Sequence, residues 1–109
     1  MMKFKTHNDK KIDTNGGYYL DYFNVPYDVL VKLFGKPHGS DEYKADAQWD
    51  IELEDGRVGS IYNYKTGKNY LGNKGLKTED ITYWHIGGKE KLVAKEIIKI
   101  IDNVLSKED

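Results

Sequence analysis

The chain has 109 residues, a length that suits one domain with a single modest core. Its 17 basic and 18 acidic residues leave a net charge of −1, which argues against general nucleic-acid binding, because such proteins carry a basic excess or stripe. Cysteine is absent, which excludes disulfides and thiolate chemistry, and no apolar run approaches membrane-spanning length. We therefore expect a single cytoplasmic domain over residues 1–109, without membrane contact.

The first third of the chain predicts one strand and one short helix. Residues 1–16 are polar and end in the turn sequence TNGG, so we expect part of this segment to be flexible. The aromatic run YYLDYFNV predicts a strand over residues 17–24. Pro26 then begins an amphipathic helix over residues 26–34, which Gly35 and Pro37 end.

A β-hairpin is the clearest pattern in the sequence. Apolar and polar residues alternate without a break from residue 43 to 54, as is typical of a strand with one buried face. The Asp-Gly pair at 55–56 predicts a two-residue turn, and that turn fixes the register of the hairpin. Trp49 would then face Tyr62, so we expect Tyr62 and Tyr64 on the buried face beside Trp49. Ile61 would lie on the polar face.

The second half adds a loop, a strand and a helix. The run KTGKNYLGNKG predicts a glycine-punctuated loop, and ITYWHI predicts a strand over residues 81–86 that Gly87 and Gly88 break. Residues 89–106 form the longest predicted helix. The complete order, β-α-β-β-β-α, predicts an α+β fold with a small antiparallel sheet and helices packed on one face.

The glycine-punctuated loop is the first candidate site. Its glycines would free backbone amides for an anion, and its lysines would add charge. The spacing differs from a phosphate-binding loop, and no helix is predicted to follow, so a solvated connection is the competing interpretation. The candidate binding residues in this loop are Lys65, Lys68, Asn69 and Tyr70.

The run TYWHIGG is the second candidate. Alternation places Trp84 and Ile86 toward the core and His85 outward beside Tyr83. His85 is the one candidate for a general acid or base, because its ordinary pKa lies near physiological pH. A surface histidine without catalytic function is the competing interpretation. We add Trp84 and His85 to the binding candidates, and we predict no other catalytic residue.

Acidic side chains alternate on the outward face of the hairpin. Asp46 and Asp50 are candidates for contact with a basic partner, and a solvated sheet face that aids solubility is the competing interpretation. His38 lies near Asp41 and Glu42, but that trio would need further ligands, so we predict neither a metal nor a cofactor.

Three segments, YKADAQW, IYNYKTGKNYLG and WHIGG, resemble a group of short, mostly uncharacterised proteins of tailed bacteriophages and prophages. The resemblance spans about residues 18–88 and brings no catalytic residues with it. It implies a context, since small phage accessory proteins commonly block host defences in the host cytoplasm. They do so by binding a protein or a signalling nucleotide.

Three functions stay open at this point. The chain would be a non-enzymatic accessory protein that binds and inhibits a host defence protein, for example a CRISPR effector. Alternatively, it would be a sponge or hydrolase of a small signalling nucleotide, using the loop with Trp84 and His85. The third interpretation is a structural component of the virion. The aromatic first strand and Ile61 also leave a homodimer open.

Overall fold

The computed structural model describes residues 4–6, 18–37 and 46–107. The elements in these ranges are β1 (Phe4–Thr6), β2 (Tyr18–Asn24), α1 (Tyr27–Phe34), β3 (Gln48–Leu53), β4 (Val58–Tyr62), α2 (Lys68–Leu71), β5 (Tyr83–Gly88) and α3 (Lys91–Lys107). The strands form one antiparallel sheet in the order β1-β3-β4-β5-β2. The predicted α+β class and the order β-α-β-β-β-α are therefore confirmed. In the described ranges, no helix is both long and apolar enough to cross a membrane.

Strand β1 lies inside the segment that was expected to be polar and partly flexible. It pairs with β3 at the edge of the sheet, with Phe4 opposite Leu53. The ring of Phe4 also meets the ring of Phe34 edge to face, with centroids 5.2 Å apart. Three residues give too short a pattern to predict a strand, and β1 forms because β3 offers it a pairing edge. The other residues of that segment lie outside the described ranges.

The core lies between the sheet and helices α1 and α3. Trp49 and Trp84 are both fully buried, and their rings meet nearly perpendicularly with centroids 5.3 Å apart. Each indole nitrogen has an acceptor, since Trp49 donates to the carbonyl of Gly35 at 2.7 Å and Trp84 donates to that of Val25 at 3.1 Å. Both tryptophans are therefore buried without an unsatisfied N–H group.

The hairpin between β3 and β4 has a longer turn than predicted. The amide of Gly56 donates to the carbonyl of Leu53 at 2.9 Å, and the amide of Leu53 donates to the carbonyl of Arg57 at 2.8 Å. Residues 54–56 thus form a three-residue loop, in which Gly56 adopts a φ of 89°. A turn followed by a left-handed glycine is the common three-residue hairpin connection. The predicted two-residue turn is wrong.

This one additional loop residue exchanges the two faces of β4. Trp49 pairs with Ile61, and Gln48 pairs with Tyr62. Because side chains alternate along a strand, a shift of one residue moves every side chain to the opposite face. Ile61 is fully buried, so the expectation that it lies on the polar face is wrong, and it no longer supports a homodimer. Tyr62 and Tyr64 lie on the outer face of the sheet, away from Trp49, and not in the core as predicted.

Strand β5 continues through the two glycines that were expected to break it. Gly87 pairs with Ser60 on one side and with Tyr19 on the other, so neighbouring strands hold its backbone on both sides. The glycines also fit their surroundings. A Cβ on Gly88 would lie 3.1 Å from Leu20 Cδ1, and a Cβ on Gly87 would lie 3.2 Å from Tyr62 Cε1.

Candidate binding face

The outer face of the sheet, opposite α1 and α3, carries a cluster of aromatic side chains. The ring centroid of His85 lies 4.7 Å from that of Tyr19, 5.3 Å from that of Tyr83 and 5.4 Å from that of Tyr64. Tyr64 stacks on the imidazole with an interplanar angle of 24°, whereas Tyr62 meets it edge-on at 5.7 Å. We call this surface the tyrosine face, and it consists of Tyr19, Tyr22, Tyr62, Tyr64, Tyr83 and His85.

A β-bulge in β2 brings two of these tyrosines to the same face. Tyr19 pairs with Gly87 and Tyr22 pairs with His85, and the register shifts between Tyr19 and Asp21. In a regular strand, residues three apart point to opposite faces, so the additional residue is what aligns the two rings. Tyr19 is 53% exposed and Tyr22 is 52% exposed. The sequence shows the aromatic run, but it gives no sign of the bulge.

His85 lies outward beside Tyr83, as predicted, and Trp84 lies in the core. Burial among the surrounding rings lowers the pKa of His85 below its ordinary value of 6.5, because it disfavours the charged imidazolium. In the part of the chain that the structure describes, the partners of His85 are tyrosine rings, without a carboxylate to orient it as a base. This environment suits stacking and packing better than proton transfer.

The candidate loop continues the tyrosine face toward α2. Lys65 adopts a left-handed backbone with a φ of 60°, which is uncommon for a residue with a side chain. Its ammonium lies 5.2 Å from the ring centroid of Tyr64 and 5.4 Å from that of Tyr70, so it contacts both rings as a cation–π pair. The structure therefore links two of the predicted loop residues, Lys65 and Tyr70, to His85 through Tyr64.

The loop itself is more regular than predicted. A one-turn helix, α2, begins after Gly67, and a 3-10 turn follows over Gly72–Lys74. The pattern predicts an irregular loop here, so this four-residue helix inside it is a feature that the sequence did not predict. Lys68 is exposed on α2, and Asn69 belongs to the same turn. A parallel bridge between Gly67 and Leu76 closes the segment.

Buried Asn63 attaches this segment to the two residues that precede β3. Its Oδ1 accepts the amides of Asp46 at 2.7 Å and of Ala47 at 3.0 Å, and its Nδ2 donates to Asp46 Oδ1 at 3.0 Å. The carboxylate of Asp46 also lies where a Cβ on Gly67 would be. Asp46 therefore helps to hold the loop in place, a contact that the alternating pattern did not predict.

Asp50 is not part of a solvated acidic face. It lies on the outer face of β3 as predicted, but it is only 1% exposed. Its Oδ1 accepts the hydroxyl of Ser60 at 3.0 Å and the Nε2 of Gln48 at 2.9 Å. The competing interpretation, a solvated carboxylate, is therefore wrong for Asp50. Trp84, another predicted binding residue, is buried on the helix side and does not reach the tyrosine face.

A groove of about 660 Å³ opens beside the tyrosine face. Its lining includes Tyr19, Tyr62, Ser60 and Gly87, and Arg57 lies at its rim. Arg57 Nε lies 3.3 Å from a carboxylate oxygen of Asp55 and 3.2 Å from one of Glu90. The sequence indicates this groove only through two small residues, Ser60 on β4 and Gly87 on β5. They are seen to be neighbours only when the register of the strands is known.

Among the described residues, no group of His, Asp and Glu side chains is arranged to hold a metal ion. The trio of His38, Asp41 and Glu42 lies outside the described ranges.

The sequence matches no protein-family model, and no curated protein is significantly similar to it. The class of the protein is given by its fold and its outer face. It is an α+β protein in which helices cover one face of the sheet and tyrosines lie on the other.

Proposed function

We propose that this protein is a non-enzymatic binding protein whose tyrosine face docks onto a partner protein. The observation that carries the proposal is the cluster of five tyrosines around His85 on a sheet face opposite the helices. Tyrosine is enriched in protein interfaces, because it offers a large apolar ring and a hydroxyl with little rotamer entropy to lose. Exposed aromatic clusters commonly mark interaction sites.

The proposed partner is a host defence protein, which this chain would inhibit by covering its surface in the host cytoplasm. The resemblance to small phage proteins supports this choice of partner. The surroundings of His85 also favour binding over catalysis, because its described contacts are aromatic rings. A CRISPR effector is one example of such a defence protein.

A signalling nucleotide is the second candidate ligand, and the contacts of Lys65 favour it. Between Asp55 and Glu79 the chain has five basic residues and no acidic one. Lys65 lies against the rings of Tyr64 and Tyr70 within that segment. Aromatic rings stack on bases and lysines contact phosphates, which is the combination that single-stranded nucleic-acid sites use.

Affinity capture from host lysate tests the protein-binding proposal. Tagged wild-type protein is compared with a Tyr19→Ser/Tyr22→Ser variant, and with Leu92→Ser as a control on the exposed surface of α3. We expect the wild type and the Leu92 variant to retain one stoichiometric partner that the tyrosine variant loses. Equal capture by all three proteins, or capture of no partner by the wild type, would refute the proposal.

A melting experiment separates the second candidate from the first. A nucleotide present at 100 times its Kd adds about 2.7 kcal/mol to the free energy of unfolding, which raises the melting temperature. Cyclic and linear dinucleotides are the probes. A shift that Lys65→Ala abolishes would support the nucleotide candidate, and an unchanged melting temperature would exclude it for these probes.

A further inference from the structure

The groove beside the tyrosine face runs along β4 and β5 to the hairpin turn and the start of α3. Ser60 and Gly87 pair directly across β4 and β5, and both lie on the outer face. Both side chains are small, so the ring of Tyr62 lies over Gly87 and forms one wall of the groove, and Tyr19 also lines it. The volume of about 660 Å³ falls within the range of about 300–1,000 Å³ that is usual for ligand pockets.

The floor of the groove presents hydrogen-bond acceptors. Ser60 donates its hydroxyl hydrogen to Asp50, and Gln48 donates its Nε2 to the same carboxylate oxygen. A ligand in the groove would therefore meet acceptors on these two side chains. They are the hydroxyl oxygen of Ser60 and the Oε1 of Gln48. The buried carboxylate of Asp50 is hydrogen-bonded to both side chains, so a cation in the groove gains from its proximity.

The lining of the groove carries two basic and two acidic residues, Arg57, Lys89, Asp55 and Glu90. Arg57 is the basic residue of the hairpin turn, and it already forms ion pairs with Asp55 and Glu90. Its positive charge is therefore compensated within the protein. The charges of these four side chains balance, so the acceptors of Ser60 and Gln48 and the carboxylate of Asp50 behind them favour a cationic hydrogen-bond donor over a phosphate.

We propose that the groove receives an arginine side chain of the partner protein. The proposal deepens the proposed function and rests on it. A guanidinium is planar, so it stacks on tyrosine rings, and its N–H groups are directed at acceptors in its own plane. Arginine and tyrosine are also the residues that dominate the binding energy of protein interfaces, where they pack together in desolvated pockets.

A titration with two small probes tests the groove without any partner. Acetyl-arginine methylamide carries the guanidinium, and acetyl-citrulline methylamide is its uncharged counterpart of the same shape. We expect the arginine probe to shift the amide resonances of Ser60, Gly87 and Gly88, with at least about tenfold higher affinity than the citrulline probe. Equal affinity of the two probes, or no shift at these amides, overturns the proposal.

Substitutions locate the binding to the groove. Tyr62→Leu removes a ring and is expected to weaken the arginine probe by about fivefold or more, whereas Tyr62→Phe retains most of the affinity because the ring remains. Tyr19→Leu supplies the same test at an exposed position, where folding is not at risk. Asp50→Asn removes the charge below the floor and should also weaken binding. Leu92→Ser lies on α3 and leaves the affinity unchanged.

Two further outcomes keep this proposal distinct from the proposed function. AMP is titrated in parallel, and tighter binding of AMP than of the arginine probe contradicts the proposal. Loss of the captured partner in the Tyr19→Ser/Tyr22→Ser variant, together with no response to the arginine probe, would retain the tyrosine face as a docking surface and refute the arginine pocket. A response to the arginine probe without any captured partner would retain the arginine pocket and refute the tyrosine face as a docking surface.

Discussion

His85 is an imidazole among tyrosine rings, and this position determines how it responds to pH. The rings partly bury the histidine, which penalises the charged imidazolium and lowers the pKa of the side chain. Tyr64 stacks on it and Tyr19 meets it edge-on, so the neutral ring fits both contacts. His85 thereby couples strands β5 and β2 to the segment that follows β4.

The free energy of unfolding should depend on pH through His85. Its pKa is lower in the folded state than the ordinary value of 6.5 that the unfolded chain has. Below pH 6.5 the unfolded chain binds a proton at His85 more readily than the folded protein does, so the free energy of unfolding falls as the pH drops. Well above pH 6.5 His85 is neutral in both states and does not affect stability. Urea denaturation at pH 7.5 and 5.5 measures this loss of stability.

His85→Phe is the matched control for this measurement, because it keeps an aromatic ring and removes the titrating group. The loss of stability between the two pH values should be smaller in the variant than in the wild type. The other titrating groups are the same in both proteins, so they cancel in the comparison. The same loss in both proteins would show that the pKa of His85 is not lowered by folding.

At the scale of elements, the hairpin determines which residues form the outer face. Gly56 adopts a left-handed conformation and adds the third residue of the turn. That residue places Ile61 in the core and Tyr62 outside. Together with the bulge in β2, it assembles the tyrosine face from three separate strands.

Helix α3 approaches β4 closely because residue 59 is a glycine. A Cβ at this position would overlap Val93 Cγ1 and lie 2.9 Å from Ile97 Cδ1. Gly59→Ala should therefore destabilise the protein by about 1–3 kcal/mol, since the methyl group overpacks a filled core. Chemical denaturation measures the loss.

A double-mutant cycle identifies the contact that is responsible for this loss. Val93→Ala removes the methyl group that the new Cβ would meet, so the double variant should be more stable than the sum of the two single losses predicts. The expected coupling is about 0.5–3 kcal/mol. Additive losses would mean that α3 moves away as a unit or that Gly59 matters through its backbone.

At the scale of the whole molecule, the sequence predicts what depends on neighbouring residues. The apolar spacing after Pro26 predicts α1, and the alternation in TYWHI predicts which way Trp84 and His85 point. The features that it does not predict are non-local. Strand β1 exists through its pairing with β3, and the register of β4 depends on the three-residue length of the turn.

In the candidate site, too, the sequence predicts local features and does not predict the non-local ones. Lys65, Tyr70 and His85 were recognised from residue types alone, and the structure brings them close to one another through Tyr64. The groove needs Ser60 and Gly87 side by side, which no local pattern shows. The aromatic character of Trp84 suggests a binding residue, but the alternation that places His85 outside also places Trp84 in the core.

Hydroxyl-radical footprinting of the protein with its captured partner tests most directly whether the tyrosine face is the docking surface. In the free protein, Tyr19, Tyr22 and Leu92 are each about half exposed and should all be oxidised. In the complex, the two tyrosines should be protected while Leu92 on α3 stays reactive. Undiminished oxidation of both tyrosines, with protection of Leu92, would place the partner on the helix side and contradict the account.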